Sequence, residues 1–168
     1  MKEIRKLMVA IEFSENASEL FDFAVGLASK LNSDLVAVNV INERDVDGIS
    51  KVALMGYEIS GENYVARLKE DRQRLLDSLI QETAFPQKRF KSIFKVGHPT
   101  ETLIHVAVEE GADMIVAGIK AHTELEHFLV GSVAEKLFRH SPITLVSFRD
   151  EKSAQRLKKR VRLKLAGA

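Results

Sequence analysis

No cysteine occurs in the 168 residues. A disulfide framework, a thiolate metal site and a cysteine nucleophile are therefore excluded, and the composition suits a reducing compartment. Long apolar runs are also missing: nothing approaches the roughly 18 consecutive apolar residues that span a bilayer. The opening Met1-Lys2-Glu3-Ile4-Arg5-Lys6 has neither the long apolar stretch nor the small-residue cleavage site of a secretory signal. The expectation is a soluble, cytoplasmic protein. Two phosphate-binding signatures are absent too. The segment Glu12-Phe13-Ser14-Glu15-Asn16, which follows the first apolar run, holds no glycine, so it is not the dinucleotide fingerprint G-x-G-x-x-G. A Walker A sequence occurs nowhere.

What is present is the composition of one globular domain: 45% hydrophobic and 29% charged residues, without a low-complexity tract. The formal net charge of +1 hides an asymmetry. Residues 151–168 carry seven Lys or Arg against one Glu, whereas the remainder holds 18 basic and 23 acidic residues. A mildly acidic domain over residues 1–149 thus precedes a basic tail over residues 150–168.

Two hydrophobic periods alternate along the chain. Residues 7–13 and 35–41 are apolar, β-branched runs too short for helices, as buried strands are. Between them Leu20, Phe23, Ala24, Leu27, Ala28 and Leu31 recur at helical spacing, with Ser14 or Asn16 as cap. The polar, Gly-containing stretch from Asn42 to about Gly56 reads as a loop. Tyr64, Val65, Leu68, Arg72, Leu75, Leu76 and Leu79 mark a long helix ending before Pro86. Lys91–Val96 is a third, more polar strand suited to a sheet edge. Leu103, Ile104, Ala107 and Val108 form a helical stripe with Gly111 at the C-cap. Met114–Gly118 and Ile143–Phe148 complete the strands, separated by a core helix with Val133, Leu137 and Phe138. Strands alternating with helices predict a doubly wound, Rossmann-like α/β fold: a five-stranded parallel sheet with right-handed crossovers and helices on both faces. Ligands of such folds sit at the carboxyl ends of the strands.

The loop after the fourth strand carries the most chemistry. It reads Gly118-Ile119-Lys120-Ala121, nine residues, then Gly131-Ser132-Val133-Ala134-Glu135. Gly118 ends a strand, where positive φ or close approach to a ligand favours glycine. Gly131-Ser132 opens a helix, whose unpaired N–H groups and positive dipole end favour a phosphate. Ser132 adds a hydroxyl donor and Lys120 a charge. Ser132-x-x-Glu135 is equally a capping box, which satisfies the same N–H groups with no ligand.

At this point the sequence resembles the universal stress protein family over nearly all of residues 5–148. The family's nucleotide-binding branch carries G-x-x-G, nine residues, then G-[ST], and the string G-I-K-A followed by G-S-V-A-E-K-L-F-R-H-S-P-I-T-L-V is similar to it. Leu7–Ser14 resembles the family's first strand and Asn39-Val40-Ile41 the end of its second. Val96-Gly97-His98-Pro99 with Ile104 and Ala107, and Asp113–Gly118, resemble the segments around its fourth. The resemblance implies strand order 3-2-1-4-5 and a site for ATP or a related adenine nucleotide such as AMP, with Mg2+ only alongside the nucleotide. It implies that Glu12 meets the ribose and that backbone at Val40 meets the adenine. The phosphate loop would be Gly118, Lys120, Ala121, Gly131, Ser132 and Val133. It also implies a homodimer through strand 142–148. The pattern is departed from in three ways: Glu12 stands for the usual Asp, Ala121 for the second glycine, and Glu124 with Glu126 for basic or small residues.

Other residues carry less. His122 and His127 lack zinc-ligand spacing, so a solvated loop is the simpler account and no resident metal is expected. His98 precedes Pro99 as a helix-entry residue beside the site, and His105 falls on a helix surface. No serine has a sequence-evident base, so no catalytic residue is assigned. The tail places Leu157, Val161 and Leu165 at i, i+4 and i+8 among Arg156, Lys158, Lys159, Arg160, Arg162 and Lys164. That pattern is a basic amphipathic helix, packed on the acidic body or a second subunit, or else meeting an acidic protein, nucleic acid or an anionic membrane. Three functions stay open: an adenine-nucleotide-responsive stress regulator, a nucleotide-free dimeric interaction module, and a weak ATPase.

Overall fold

The computed structural model describes residues 3–14, 16–53, 61–119 and 133–166. Strands β1 (Lys6–Ala10), β2 (Asp34–Asn42), β3 (Phe90–Gly97), β4 (Met114–Gly118) and β5 (Thr144–Phe148) pair in parallel in the order β3-β2-β1-β4-β5. Helices α1 (Ala17–Leu31), α2 (Glu43–Ala53), α3 (Gly61–Gln81), α4 (Pro99–Glu109) and α5 (Val133–His140) surround the sheet, and α6 (Glu151–Ala166) follows β5. This is the expected Rossmann-like architecture.

The central strands explain their own composition. Side chains alternate between the faces of a strand. Leu7, Val9, Leu35, Ala37 and Val116 accordingly face one core with α1 and α3, which contribute Phe21, Ala24, Ala28, Leu76 and Ile80. Met8, Val36, Val38, Ile115 and Ala117 face the other, with Leu103 and Val106 of α4 and Leu137 of α5. Both faces are covered, so β1 needs apolar residues at consecutive positions. The edge strands β3 and β5 are only partly buried and tolerate polar residues.

Two helix ends follow from left-handed residues. Asn32 closes α1 at φ 53°, with its own N–H donating to Ser29 O (3.2 Å) and that of Ser33 to Ala28 O (2.9 Å). Gly111 does the same after α4 at φ 64°, its N–H bonding Val108 O (3.1 Å) while that of Ala112 bonds Ala107 O (2.9 Å). Both are Schellman motifs, and both turn the chain directly into a strand.

Several expectations are corrected. The stretch from Asn42 to Gly56 is not a loop where it is described: residues 43–53 are α2, whose half-buried Val46 and Ile49 lie one turn apart. Gly48 costs that helix about 1 kcal/mol relative to alanine, which packing outweighs. The start of α3 approaches α2 closely. A Cβ on Gly61 would lie 2.6 Å from Ser50 Oγ. On α1 the buried stripe is Leu20, Phe21, Ala24, Val25 and Ala28; Phe23 and Leu31 lie outward. On α4 Val106 is buried and Val108 exposed. On α5 Leu137 is buried, but Phe138 is 80% exposed and outside the core. The edge strand at 142–148 is ordered as a strand only over Thr144–Phe148. On α6 Val161 and Leu165 are exposed, so that part of the expected apolar stripe does not pack on the body. Among the described residues, no helix is long and apolar enough to cross a membrane.

Candidate functional site

A cleft of about 350 Å³ opens at the carboxyl ends of β1, β2 and β4. Parallel winding puts it there: the chain leaves β1 toward α1 on one face of the sheet, while β4 leads toward α5 on the other. Glu12, Val40, Gly118 and Val133, four residues singled out from the sequence, all line it. Lys120, Ala121, Gly131 and Ser132 lie outside the described residues, as do Glu124, Glu126, His122 and His127. Gly118 does not have positive φ, and a Cβ there would meet Leu20 Cδ2 at an ordinary 3.5 Å. What the missing side chain leaves is open backbone at the cleft floor.

The exit of β1 is fixed by a side chain. Ile11 N–H still pairs with Val38 O (2.9 Å), but Ile11 O accepts from the amide Nδ2 of Asn39 (2.7 Å). Asn39 is 3% exposed, and its Oδ1 in turn accepts from Arg72 Nη1 at 2.5 Å. The Arg72 guanidinium carbon lies 5.6 Å from the centroid of the Phe13 ring. Burial pulls Arg72 below the ordinary arginine value, opposed by the fields of Tyr64, Asp45 and Glu12. Neither Arg72 nor Asn39 was singled out from the sequence as a site residue. The available signal was one arginine inside an apolar helical stripe, which a solvated face does not require.

The far end of the cleft holds Phe148 and Asp150. Asp150 is buried and caps α6: its Oδ1 accepts from Ser153 N–H (2.8 Å) and its carbonyl from Ala154 N–H (2.9 Å). The Ser153 backbone hydrogen bond, with the Ser153 side chain, holds the carboxyl below the usual carboxylate range. The basic helix is therefore rooted in the cleft wall, a link that charge counting along the tail does not reveal.

Ser14 lines the cleft, but among the described residues no histidine does. His98 precedes α4 with Nδ1 3.9 Å from Glu101 Oε1, and His105 is exposed. Among the described residues no three His, Asp or Glu side chains gather as a metal site. The arrangement is therefore a concave, half-apolar cleft with a few fixed polar groups, which is the make-up of a small-molecule binding site.

The sequence profile of the universal stress protein family matches residues 3–149. A Staphylococcus epidermidis protein carrying the universal stress protein name is 28% identical over 153 residues, covering 90% of this chain and 87% of its own. Among solved structures, a universal stress protein in complex with cAMP superposes with a TM-score of 0.63 at 18% identity, covering 88% of this chain and 98% of its own. Another, from Archaeoglobus fulgidus in complex with dAMP, superposes at 0.56 and 16% identity, again covering 88% and 98%.

Proposed function

The chain belongs to the universal stress protein family, and from that premise we propose that it is a cytoplasmic stress-response regulator binding an adenine nucleotide, ATP or AMP, in the cleft. One observation carries the reading: Glu12, Val40, Gly118 and Val133 surround a single cleft of about 350 Å³, a volume suited to one nucleotide. The cAMP and dAMP held by two solved relatives support it. Magnesium enters only with the nucleotide; Glu12 and Asp150 on the lining are oxygen donors of the kind it takes. No side chain is assigned to catalysis, and the role is occupancy. Because Asp150 both lines the cleft and caps α6, a ligand there bears on how the basic helix is held.

Mass spectrometry of molecules released by denaturing the gently purified protein is the test. ATP or AMP at near-stoichiometric amount is the expected result. A protein that is empty, and that gives no heat on titration with ATP and magnesium or with AMP, sinks the reading and leaves the nucleotide-free interaction module.

The protein acts in this proposal as a homodimer through the strand at 142–148. Strand β5 is a sheet edge, and exposed edges recruit partners. Light scattering on a sizing column is expected to give twice the chain mass, and Ser147→Pro, which removes a backbone donor from the side of β5 that faces away from β4, should shift it to the monomer. Monomeric native protein at micromolar concentration excludes this assembly.

A further inference from the structure

Arg72 is the one cation on the cleft lining among the described residues, set against Glu12, Asp45 and Asp150. Asp45 and Glu12 already oppose the loss of its charge on burial, so the side chain does not depend on a ligand anion for compensation. What distinguishes it is fixed orientation. One N–H is held by Asn39 Oδ1 at 2.5 Å, and Asn39 is itself held by Ile11 O at 2.7 Å. Its guanidinium lies over Phe13 at 5.6 Å. Arg72 is on the cleft lining, whereas Phe13 packs against the core shared by α1 and α3. Beside it on the lining stand Asn39, Val40 and Asn42 from the end of β2.

A planar cation held by a hydrogen bond and set near an aromatic ring presents a surface that suits a second flat π system. We propose that Arg72 is the stacking platform for the nucleobase, forming a layered Phe13–Arg72–base arrangement beside Val40. This rests on the adenine-nucleotide reading above and adds to it the group that grips the base. Stacking on a guanidinium plane is tolerant of ring identity.

Calorimetric titrations with adenosine, AMP and ribose 5-phosphate separate base from phosphate. Arg72→Met is expected to weaken adenosine and AMP alike, by about tenfold, and to leave ribose 5-phosphate unchanged. Arg72→Lys keeps the charge and a donor for Asn39 but loses the plane, so it should not restore native affinity. Quenching of ethenoadenosine monophosphate fluorescence, a signature of stacking, should fall in both variants. Equal losses for AMP and ribose 5-phosphate with adenosine unchanged, restored by lysine, would put Arg72 on the phosphate and overturn the proposal. Unchanged affinities in both variants overturn it as well. If Arg72→Met does not fold, the lysine variant with the fluorescence readout decides. Native protein that binds adenosine and AMP while Arg72 variants bind them equally well removes only the role of Arg72. Native protein that binds none of the three removes the nucleotide reading and this role together.

Discussion

Phe21→Ala is expected to lower the unfolding free energy by about 4 kcal/mol, whereas Phe138→Ala should change it by no more than about 0.5 kcal/mol. The two phenylalanines have the same chemistry and opposite surroundings. Phe21 is completely buried beneath the sheet and meets the Phe90 ring edge-to-face at 5.8 Å, tying α1 to β3 across the core. Truncation removes the transfer free energy of the ring and leaves a cavity that the rigid central strands cannot collapse. Phe138 keeps 80% of its surface in water on an eight-residue helix, so truncation removes little burial. Urea unfolding of both variants at equal protein concentration checks the pair. Similar losses for the two would mean that Phe138 is covered in solution, as it would be if the α5 face were part of an interface.

That contrast shows where the sequence was legible and where it was not. Strand identity was readable because Leu7–Val9 and Leu35–Val38 are apolar at consecutive positions in runs too short for helices, as strands covered on both faces are. Strand order came from the resemblance to a family rather than from patterning. The facing of α1 was ambiguous: Leu20, Ala24 and Ala28 belong equally to a stripe continued by Phe23 and Leu27 or by Phe21 and Val25. Helical spacing admits both, and only the docking of α1 on β1 and β2 decides. Helix α2 was hidden by a different conflict. Its Gly48 and acidic residues read locally as loop, while its packing partner, the start of α3, lies outside any local window. The site divides similarly. Glu12 and Val40 were visible because they stand at strand ends, where ligands of parallel sheets bind. Arg72 and Asp150 reach the cleft from α3 and from beyond β5, by tertiary placement that no spacing along the chain encodes.

Asn39→Leu is expected to cost about 3 kcal/mol of stability and to reduce AMP affinity by at least about tenfold. Leucine matches the shape of asparagine but answers neither of its bonds. Ile11 O loses the amide donor 2.7 Å away, and Arg72 loses the acceptor that orients it. The half-buried guanidinium then loses a hydrogen-bond acceptor, and an unmet buried hydrogen bond to a charged group is costly. The chain between β1 and α1, which carries Glu12 and Phe13, also loses the second of its two ties to β2, keeping only Ile11 N–H on Val38 O, so the base end of the cleft is held less firmly. A second substitution discriminates this account from simple misfit of leucine. Asn39→Leu combined with Arg72→Met removes donor and acceptor together, and exchanging both partners of a polar contact for apolar groups is far less costly than removing one. The double variant should therefore be more stable than Asn39→Leu alone, with a coupling of about 1–2 kcal/mol in the double-mutant cycle, while remaining weak for AMP. Stability and affinity thus part company: packing can replace the Asn39–Arg72 contact in holding α3 on β2, but not in presenting a fixed planar cation to the cleft. Additive stabilities in that cycle would mean that Asn39 and Arg72 act separately, and would leave the geometry of Arg72 to Phe13 alone.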